Sequence, residues 1–403
     1  MSRLRVLHLT SSFPRHEADT VAPFLLDLAR VEAGAGMDVH VLAPHDAGLP
    51  RREDWDGIGI ARYRYAPPAW EGLAYRGGLL GAASKPARAP LVPALLAAFL
   101  AAATAEARRL RPDVLHAHWW LPAGLAGAGA RVATGTPLVV TLHGTDVHLA
   151  ARPGWRLPAR AVAVRATALV AASEALAGEA ALVLGLPPGR VGVARMPVSA
   201  AAHGIGATPL PPWPPLRLVA VGRLVPEKGL DVLLGAVRRL VAAGQDVRLE
   251  VVGGGPEEGR LRALGAWLGD RVTWAGAVPP AELGPHLRAA HALVVPSRRE
   301  GLGLVALEAL AHGRPVVGSR VGGLPEAVDD GTDGLLVPAG DEKALVVALG
   351  RLPLPAPAGA ALAYHRPDVV AAEHLELYHR AMAGARVGHP RRRPATNPCP
   401  PAG

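Results

Sequence analysis

The sequence predicts an α/β protein, on three observations. Apolar runs of strand length alternate with stretches of helical spacing, the alternation occurs in two series, and a proline-rich break separates them. Alternating strands and helices favour parallel sheets. The chain has 403 residues, room for two domains at roughly 100–200 residues each. The expected architecture is two Rossmann-like domains facing each other across a cleft, 1–205 and 206–366. A helix over 367–385 then packs back on the first domain, and a disordered basic tail covers 386–403.

Residues 4–10 read as a buried first strand. Residues 23–35 read as a helix, with Phe24, Leu25, Leu28 and Val31 near helical spacing. Further strands are expected at 38–43, 113–116, 137–141 and 168–172. Between His203 and Arg217 stand Pro209, Pro211, Pro212, Pro214 and Pro215. Such density continues neither a helix nor a central strand, so it marks the interdomain linker. The second series places strands at 216–221, 247–252, 272–275, 292–295, 315–318 and 334–337. The segment 352–359 is proline-rich again, and a last helix is expected over 367–383.

Half of the residues are hydrophobic, enough for two cores. The net charge of +9 favours anionic partners such as nucleotides, phosphorylated lipids or an acidic membrane face. Nucleic acid is not expected, because no basic helix is interleaved with aromatics. The one cysteine, Cys399, excludes a disulfide framework and a zinc site. Residues 1–10 lack the apolar core and cleavage site of a signal peptide. The longest apolar run, about 91–105, reads as too short to span a bilayer, so a cytoplasmic protein is expected. That run is flanked by Lys85, Arg88, Arg108 and Arg109. Farther on, Arg152, Arg156, Arg160 and Arg165 interleave with Trp155, Leu157, Val162 and Val164. A basic, amphipathic surface of this kind predicts peripheral contact with the inner membrane face.

The densest chemistry lies between Pro296 and Glu326. Glu300 and Glu308 are separated by seven residues, with a helix expected to start near Gly301 and to hold Glu308 about two turns inside. Both carboxylates would then flank a helix N-terminus, whose free N–H groups and dipole favour an anion. A nucleotide diphosphate could rest on Gly301, Leu302, Gly303 and Leu304, and the carboxylates could accept sugar hydroxyls. Taken alone, the pair also fits two surface glutamates. Arg223 and Lys228 straddle a second strand-to-helix turn, where two cations can offset charge developing on a leaving group. Gly253 opens a third, glycine-rich turn that lets backbone approach a ligand. In the first half, His116 and His118 precede Trp119 and Trp120, and His143 precedes Gly144 and Asp146. Both segments fall at strand C-terminal ends, where open α/β sheets bind ligands. The histidines could ligate a metal only with a carboxylate that the sequence does not identify.

From about 216 to 341, the G-R-L-x-x-E-K-G run at 222–229, the Glu300/Glu308 pair and the G-G-x-x-E run at 322–326 occur in order. These motifs resemble the retaining glycosyltransferases of family 4 (group 1), which have the GT-B fold. The resemblance implies that Arg223 and Lys228 bind the donor diphosphate. It also implies that Glu308 holds the ribose hydroxyls, Glu300 contacts the transferred sugar, and Gly303 and Leu304 offer backbone N–H groups. His143 matches the position that contacts the donor sugar, while Glu326 has no firm family role and is expected to support its loop. Three segments depart from the family. Thr10 to Arg15 stand where many relatives carry a glycine pair, Met196 to Ser199 replace an Asn-Gly-Val-Asp turn, and the helix after Asp341 reads as shortened.

The resulting expectation is a metal-independent hexosyltransferase that moves sugar from a GDP-, UDP- or ADP-linked donor to a glycan, lipid-linked or small-molecule acceptor, without a cofactor. No Asp-x-Asp motif stands where a divalent ion would be needed. The alternatives are a nucleotide-sugar epimerase or hydrolase of the same architecture, or a non-catalytic relative that binds nucleotide sugars.

Overall fold

The computed structural model describes residues 3–75, 88–199, 202 and 208–384. Lys85, His203, the 205/206 boundary, Cys399 and the tail expected over 386–403 lie outside the described residues.

The first domain holds strands β1 (Arg5–Leu9), β2 (Asp38–Pro44), β3 (Arg52–Trp55), β4 (Ile58–Tyr63), β5 (Val114–His118), β6 (Leu138–Leu142), β7 (Ala168–Ala171) and β8 (Gly192–Val193). Its helices are α1 (Pro23–Gly34), α2 (Leu91–Leu110), α3 (Leu125–Thr134), α4 (Thr145–Ala150), α5 (Arg156–Arg165) and α6 (Glu174–Leu184). The sheet order is β3-β4-β2-β1-β5-β6-β7-β8, parallel except where β3 meets β4. The β3–β4 hairpin was not among the expected strands. Its turn is Asp56-Gly57, both at positive φ, which suits a tight hairpin. The Asp54-Trp55-Asp56 triplet is spent there: Asp54 accepts from Gly57 N at 2.8 Å, and Asp56 pairs with Arg30 at 3.3 Å.

The second domain holds β9 (Leu216–Val221), α7 (Leu230–Ala242), β10 (Val247–Val252), α8 (Glu258–Gly265), β11 (Val272–Gly276), α9 (Leu283–Arg288) and β12 (Ala292–Val295). It continues with α10 (Leu304–Ala311), β13 (Val316–Ser319), α11 (Leu324–Ala327), β14 (Gly334–Val337) and α12 (Glu342–Leu349). Its order, β11-β10-β9-β12-β13-β14, is parallel throughout and reverses between β9 and β12. The first sheet reverses between β1 and β5. Crevices at such reversal points, outside the strand C-termini, are where open α/β sheets take ligands.

Two expectations need correction. The helix after Glu300 starts at Leu304, because Gly303 at φ +82 caps it, so Glu308 lies little more than one turn inside. The apolar run around 91–105 belongs to a helix of 20 residues, long and apolar enough by length and composition to cross a membrane. However, Leu95, Phe99, Ala103, Ala107 and Leu110 recur every three or four residues and pack one face of α2 into the sheet's core.

The domains meet through an apolar cluster. Leu28 of α1 and Ala172, Met196 and Val198 of the first domain join Leu302, Ala306, Leu307 and Leu310 of the second. The linker is pinned by the buried Arg314, whose guanidinium donates to Thr208 O at 2.8 Å and Pro209 O at 2.9 Å. The final helix, α13 (Pro367–Met382), crosses back. Leu377, Tyr378 and Ala381 of this helix share a core with Leu25 and Ala29 of α1.

Candidate functional site

Glu300 follows β12, at the reversal point of the second sheet. Lys228 Nζ donates to Glu300 Oε2 at 2.7 Å and Ser297 Oγ donates to the same oxygen at 3.0 Å. Lys228 and Glu300 therefore form one unit. Arg223, on the same β9–α7 turn, is exposed, and among the described residues it forms no ion pair. Gly253 acts through packing: at φ +137, a Cβ there would meet Gly222 O at 1.9 Å, so it lets the turns after β9 and β10 nest together.

Glu308 sits on α10, half-buried. Burial, reinforced by the charge of Asp27 on α1, pushes its carboxyl up to about 8. Burial likewise raises Asp27 to about 6, against the pull of Arg30. Leu302 is buried, Gly303 supplies the left-handed cap, and Leu304 opens the helix whose first N–H groups lack partners within it.

His143 comes to this site from the other domain. A Cβ on Gly301 would meet His143 O at 2.8 Å, so the two backbones touch there and only glycine fits. The His143 ring packs 4.8 Å from Trp119 and 5.2 Å from Phe24, centroid to centroid. Trp119 holds φ +68, an uncommon conformation for a bulky residue, at the edge of this site. Burial lowers the His143 pKa to about 3, so the ring is neutral.

Two expected substrate contacts prove to be supports. Asp146 is buried and accepts from His143 N at 3.1 Å, Gly144 N at 3.0 Å and Trp120 N at 3.2 Å. Its carboxylate shapes the His143 loop. His118 is buried with one ring nitrogen on His8 and the other on His143, so no face is left for substrate. Trp120 is buried, with Nε1 donating to Asp146 O at 2.7 Å. Nitrogens of His8, His116 and His118 lie close enough for one ion, as do ligand atoms of Glu32, His116 and His374. Each residue, however, is already engaged by a polar neighbour.

Several contributors lie outside the Glu300 and His143 motifs. Ser173 caps α6 and its Oγ donates to Gly301 O at 2.7 Å, across the cleft. Glu326 does more than support its own loop: it accepts from Glu174 N at 2.9 Å and Ala175 N at 2.8 Å, at the N-terminus of α6 in the facing domain. In the first loop, Thr10 Oγ1 donates to Ser12 O at 2.8 Å, Phe13 is buried, and Pro14 O accepts from Arg62 at 2.9 Å, so that loop is held against its own domain. Glu326 had a signal as the end of the G-G-x-x-E run, and Glu32 had one as a carboxylate on the Leu25, Leu28, Ala29 stripe of α1.

Residues 21–201 match the model described as Glycosyltransferase Family 4, and residues 215–353 match Glycosyl transferases group 1. The chain is 38% identical over 291 residues to a D-inositol 3-phosphate glycosyltransferase of Acidothermus cellulolyticus, covering 65% of this chain and 64% of that one. It is 36% identical over 401 residues to the Streptomyces scabiei protein of the same name, covering 89% and 86%. The match thus spans just under two thirds of the first relative and most of the second. Among solved structures, the fold is similar to sucrose-phosphate synthase of Thermosynechococcus elongatus, at TM-score 0.76 and 23% identity over 95% of this chain and 100% of that one. It is also similar to Anabaena HepE in complex with UDP and glucose, at TM-score 0.64 and 19% identity over 94% and 100%. These two likenesses speak to the fold alone, an α/β architecture of two mostly parallel sheets of the GT-B kind. With both halves matched in order and most of a related chain covered, the protein belongs to the family 4, group 1 glycosyltransferases.

Proposed function

We propose that the protein is a retaining hexosyltransferase that binds a nucleotide-diphosphate sugar in the cleft, mainly on the second domain. The observation that carries this reading is the meeting of Glu300, held by Lys228 and Ser297, with the His143 loop through Gly301. A sugar lodged there lies between a carboxylate and a neutral imidazole. Glu308 accepts the ribose hydroxyls, and Arg223, Lys228 and the start of α10 face the diphosphate. In this reading the bond from C1 to the phosphate oxygen breaks as the acceptor oxygen binds C1 on the same face. The acceptor proton passes to the departing phosphate, and no divalent ion is required. Two relatives bear on substrates by name: the D-inositol 3-phosphate glycosyltransferases, and a GDP-mannose-dependent mannosyltransferase of Mycolicibacterium smegmatis that acts on phosphatidylinositol monomannoside. A GDP-, UDP- or ADP-sugar donor and a polyol, glycan or lipid-linked acceptor follow as the class to test. We also propose peripheral contact with anionic lipid through the exposed face of α5.

The test incubates the protein with a panel of nucleotide sugars, with and without acceptors, and reads donor consumption and the anomeric configuration of the product. Retained configuration with acceptor-dependent consumption is expected. Consumption without acceptor indicates an epimerase or hydrolase, and none at all indicates a binding protein. Loss of transfer in chelator, restored by magnesium, would refute metal independence.

A further inference from the structure

Behind the cleft, an unbroken line of buried polar side chains runs from His143 to the last helix. His143 Nε2 lies 3.2 Å from His118 Nδ1, His118 Nε2 lies 3.0 Å from His8 Nδ1, and His8 Nε2 lies 2.7 Å from Glu32 Oε2. The other carboxylate oxygen, Glu32 Oε1, accepts from Tyr378 OH at 2.6 Å and from His374 Nδ1 at 3.0 Å. His374 Nε2 in turn faces Arg195 O at 3.1 Å. The Tyr378 oxygen accepts from His116 Nδ1 at 2.7 Å, which leaves His116 Nε2 to accept from Thr141 Oγ1 at 2.7 Å.

Each link holds one proton, and the acceptors fix its side. Both nitrogens of His374 face acceptor-only oxygens, so both carry protons and the ring is an imidazolium. Its charge offsets the Glu32 carboxylate. A second cation at His8 would leave a net charge in a buried site, which is costly. His8 is therefore neutral, and because an ionised carboxylate only accepts, its proton is on Nε2. His8 Nδ1 then accepts from His118 Nε2–H, and His118 Nδ1 accepts from His143 Nε2–H. The titration directions agree. Burial would lower His374, but Glu32 outweighs that and raises it. Burial, with the neighbouring histidines, keeps His118 well below its ordinary value and so neutral.

We propose that Glu32, His8 and His118 form a directed hydrogen-bond relay, anchored by His374 and Tyr378 of α13, that fixes His143 as the Nε2–H tautomer with its lone pair on Nδ1. His143 thereby offers the substrate an acceptor rather than a donor. Glu32, His8, His118, His374 and Tyr378 are positioning residues, because none reaches the cleft. The effect on turnover rests on the proposed function, but the tautomer does not.

The test is long-range proton–nitrogen correlation NMR on full-length protein labelled at histidine nitrogens, near neutral pH, with His143 assigned by its loss in His143→Gln. A protonated Nε2 and an unprotonated Nδ1 are expected. In Glu32→Gln the amide can donate to His8 Nε2, so the two His143 signals should exchange character. If the proposed transfer is observed, kcat should fall about tenfold or more while donor KM changes far less. Tyr378→Phe keeps the carboxylate and should keep the tautomer. Should Glu32→Gln fail to fold, His118→Asn cuts one link while leaving the Glu32 anchor, and both His143 tautomers should appear. A wild-type His143 protonated on Nδ1, or a pattern unmoved by every variant that cuts or reverses the relay, overturns the proposal whether or not transfer is ever seen.

Discussion

Glu308 carries the sharpest prediction at the scale of single residues. Its carboxyl titrates near 8 when folded, against an ordinary value of 4.5. A raised carboxyl binds a proton in the folded state that the unfolded chain has already lost, so its contribution to stability declines as pH rises from about 5 to about 8. Glu308→Gln mimics the protonated form and escapes that decline. Its Tm should therefore gain on wild type as pH rises across this window, while the stabilisation by added nucleotide shrinks. Parallel melting curves with and without GDP, UDP and ADP measure both, and a constant Tm difference would contradict the assignment. Lys228→Ala leaves the Glu300 carboxylate without its cation and, on the proposed function, the donor phosphate without one of its charges. Turnover should fall by about a hundredfold or more, on the scale of losing one preorganised charge-stabilising group. Wild-type kinetics in this variant would remove Lys228 from the machinery.

Among the elements, α6 has a cap that is shared between domains. Ser173 and Glu326 satisfy N–H groups at its start, and Ser173 also binds Gly301 O. A carboxylate at a helix N-terminus contributes about 0.3–1 kcal/mol when exposed. Glu326→Ala should loosen closure by that amount, raising donor KM more than it lowers kcat and enlarging the radius of gyration in small-angle scattering. Unchanged scattering and kinetics would mean that the Glu326 contact does not hold the domains together. Such contacts explain what was legible in the sequence. The β9, β10, β12 and β14 boundaries stand where the sequence places them: β12 and β14 show as continuous apolar runs because both of their faces are buried, while Arg217 in β9 and Arg248 and Glu250 in β10 interrupt an otherwise apolar pattern. The start of α10 was misplaced because Gly301 and Gly303 look alike in sequence. Only the fold reveals that Gly301 abuts His143 O while Gly303 takes the left-handed turn. Glu300 and His143 carry motifs, and the fold brings their loops together through Gly301. The partners of Ser173, Glu326 and Phe24 lie more than a hundred residues away, and no local pattern encodes such pairings, not even for Glu326, which ends the G-G-x-x-E run.

For the molecule as a whole, a nucleotide that binds only the closed native cleft should raise Tm in proportion to its affinity. The panel that tests Glu308 thus also ranks the three bases. Leu157 and Val164, 77% and 53% exposed and seven residues apart on α5, form an outward apolar stripe. Arg160, which donates to Leu184 O, is occupied within the fold. If this face rests on lipid, co-sedimentation with anionic vesicles should fade with salt and be lost in Leu157→Glu/Val164→Glu. Equal recovery in the supernatant throughout would leave the protein off the membrane. The return of α13 also bears on the order in which the chain matures during synthesis. The first domain is translated first, yet Tyr378, which completes its core, and His374, the counter-ion of Glu32, emerge only after the entire second domain. Until then Glu32 is a carboxylate within an apolar stripe without its matching cation. A nascent chain halted after residue 199 should consequently remain protease-sensitive on the ribosome, and protection should arrive in one late step, once residues 367–382 have cleared the exit tunnel.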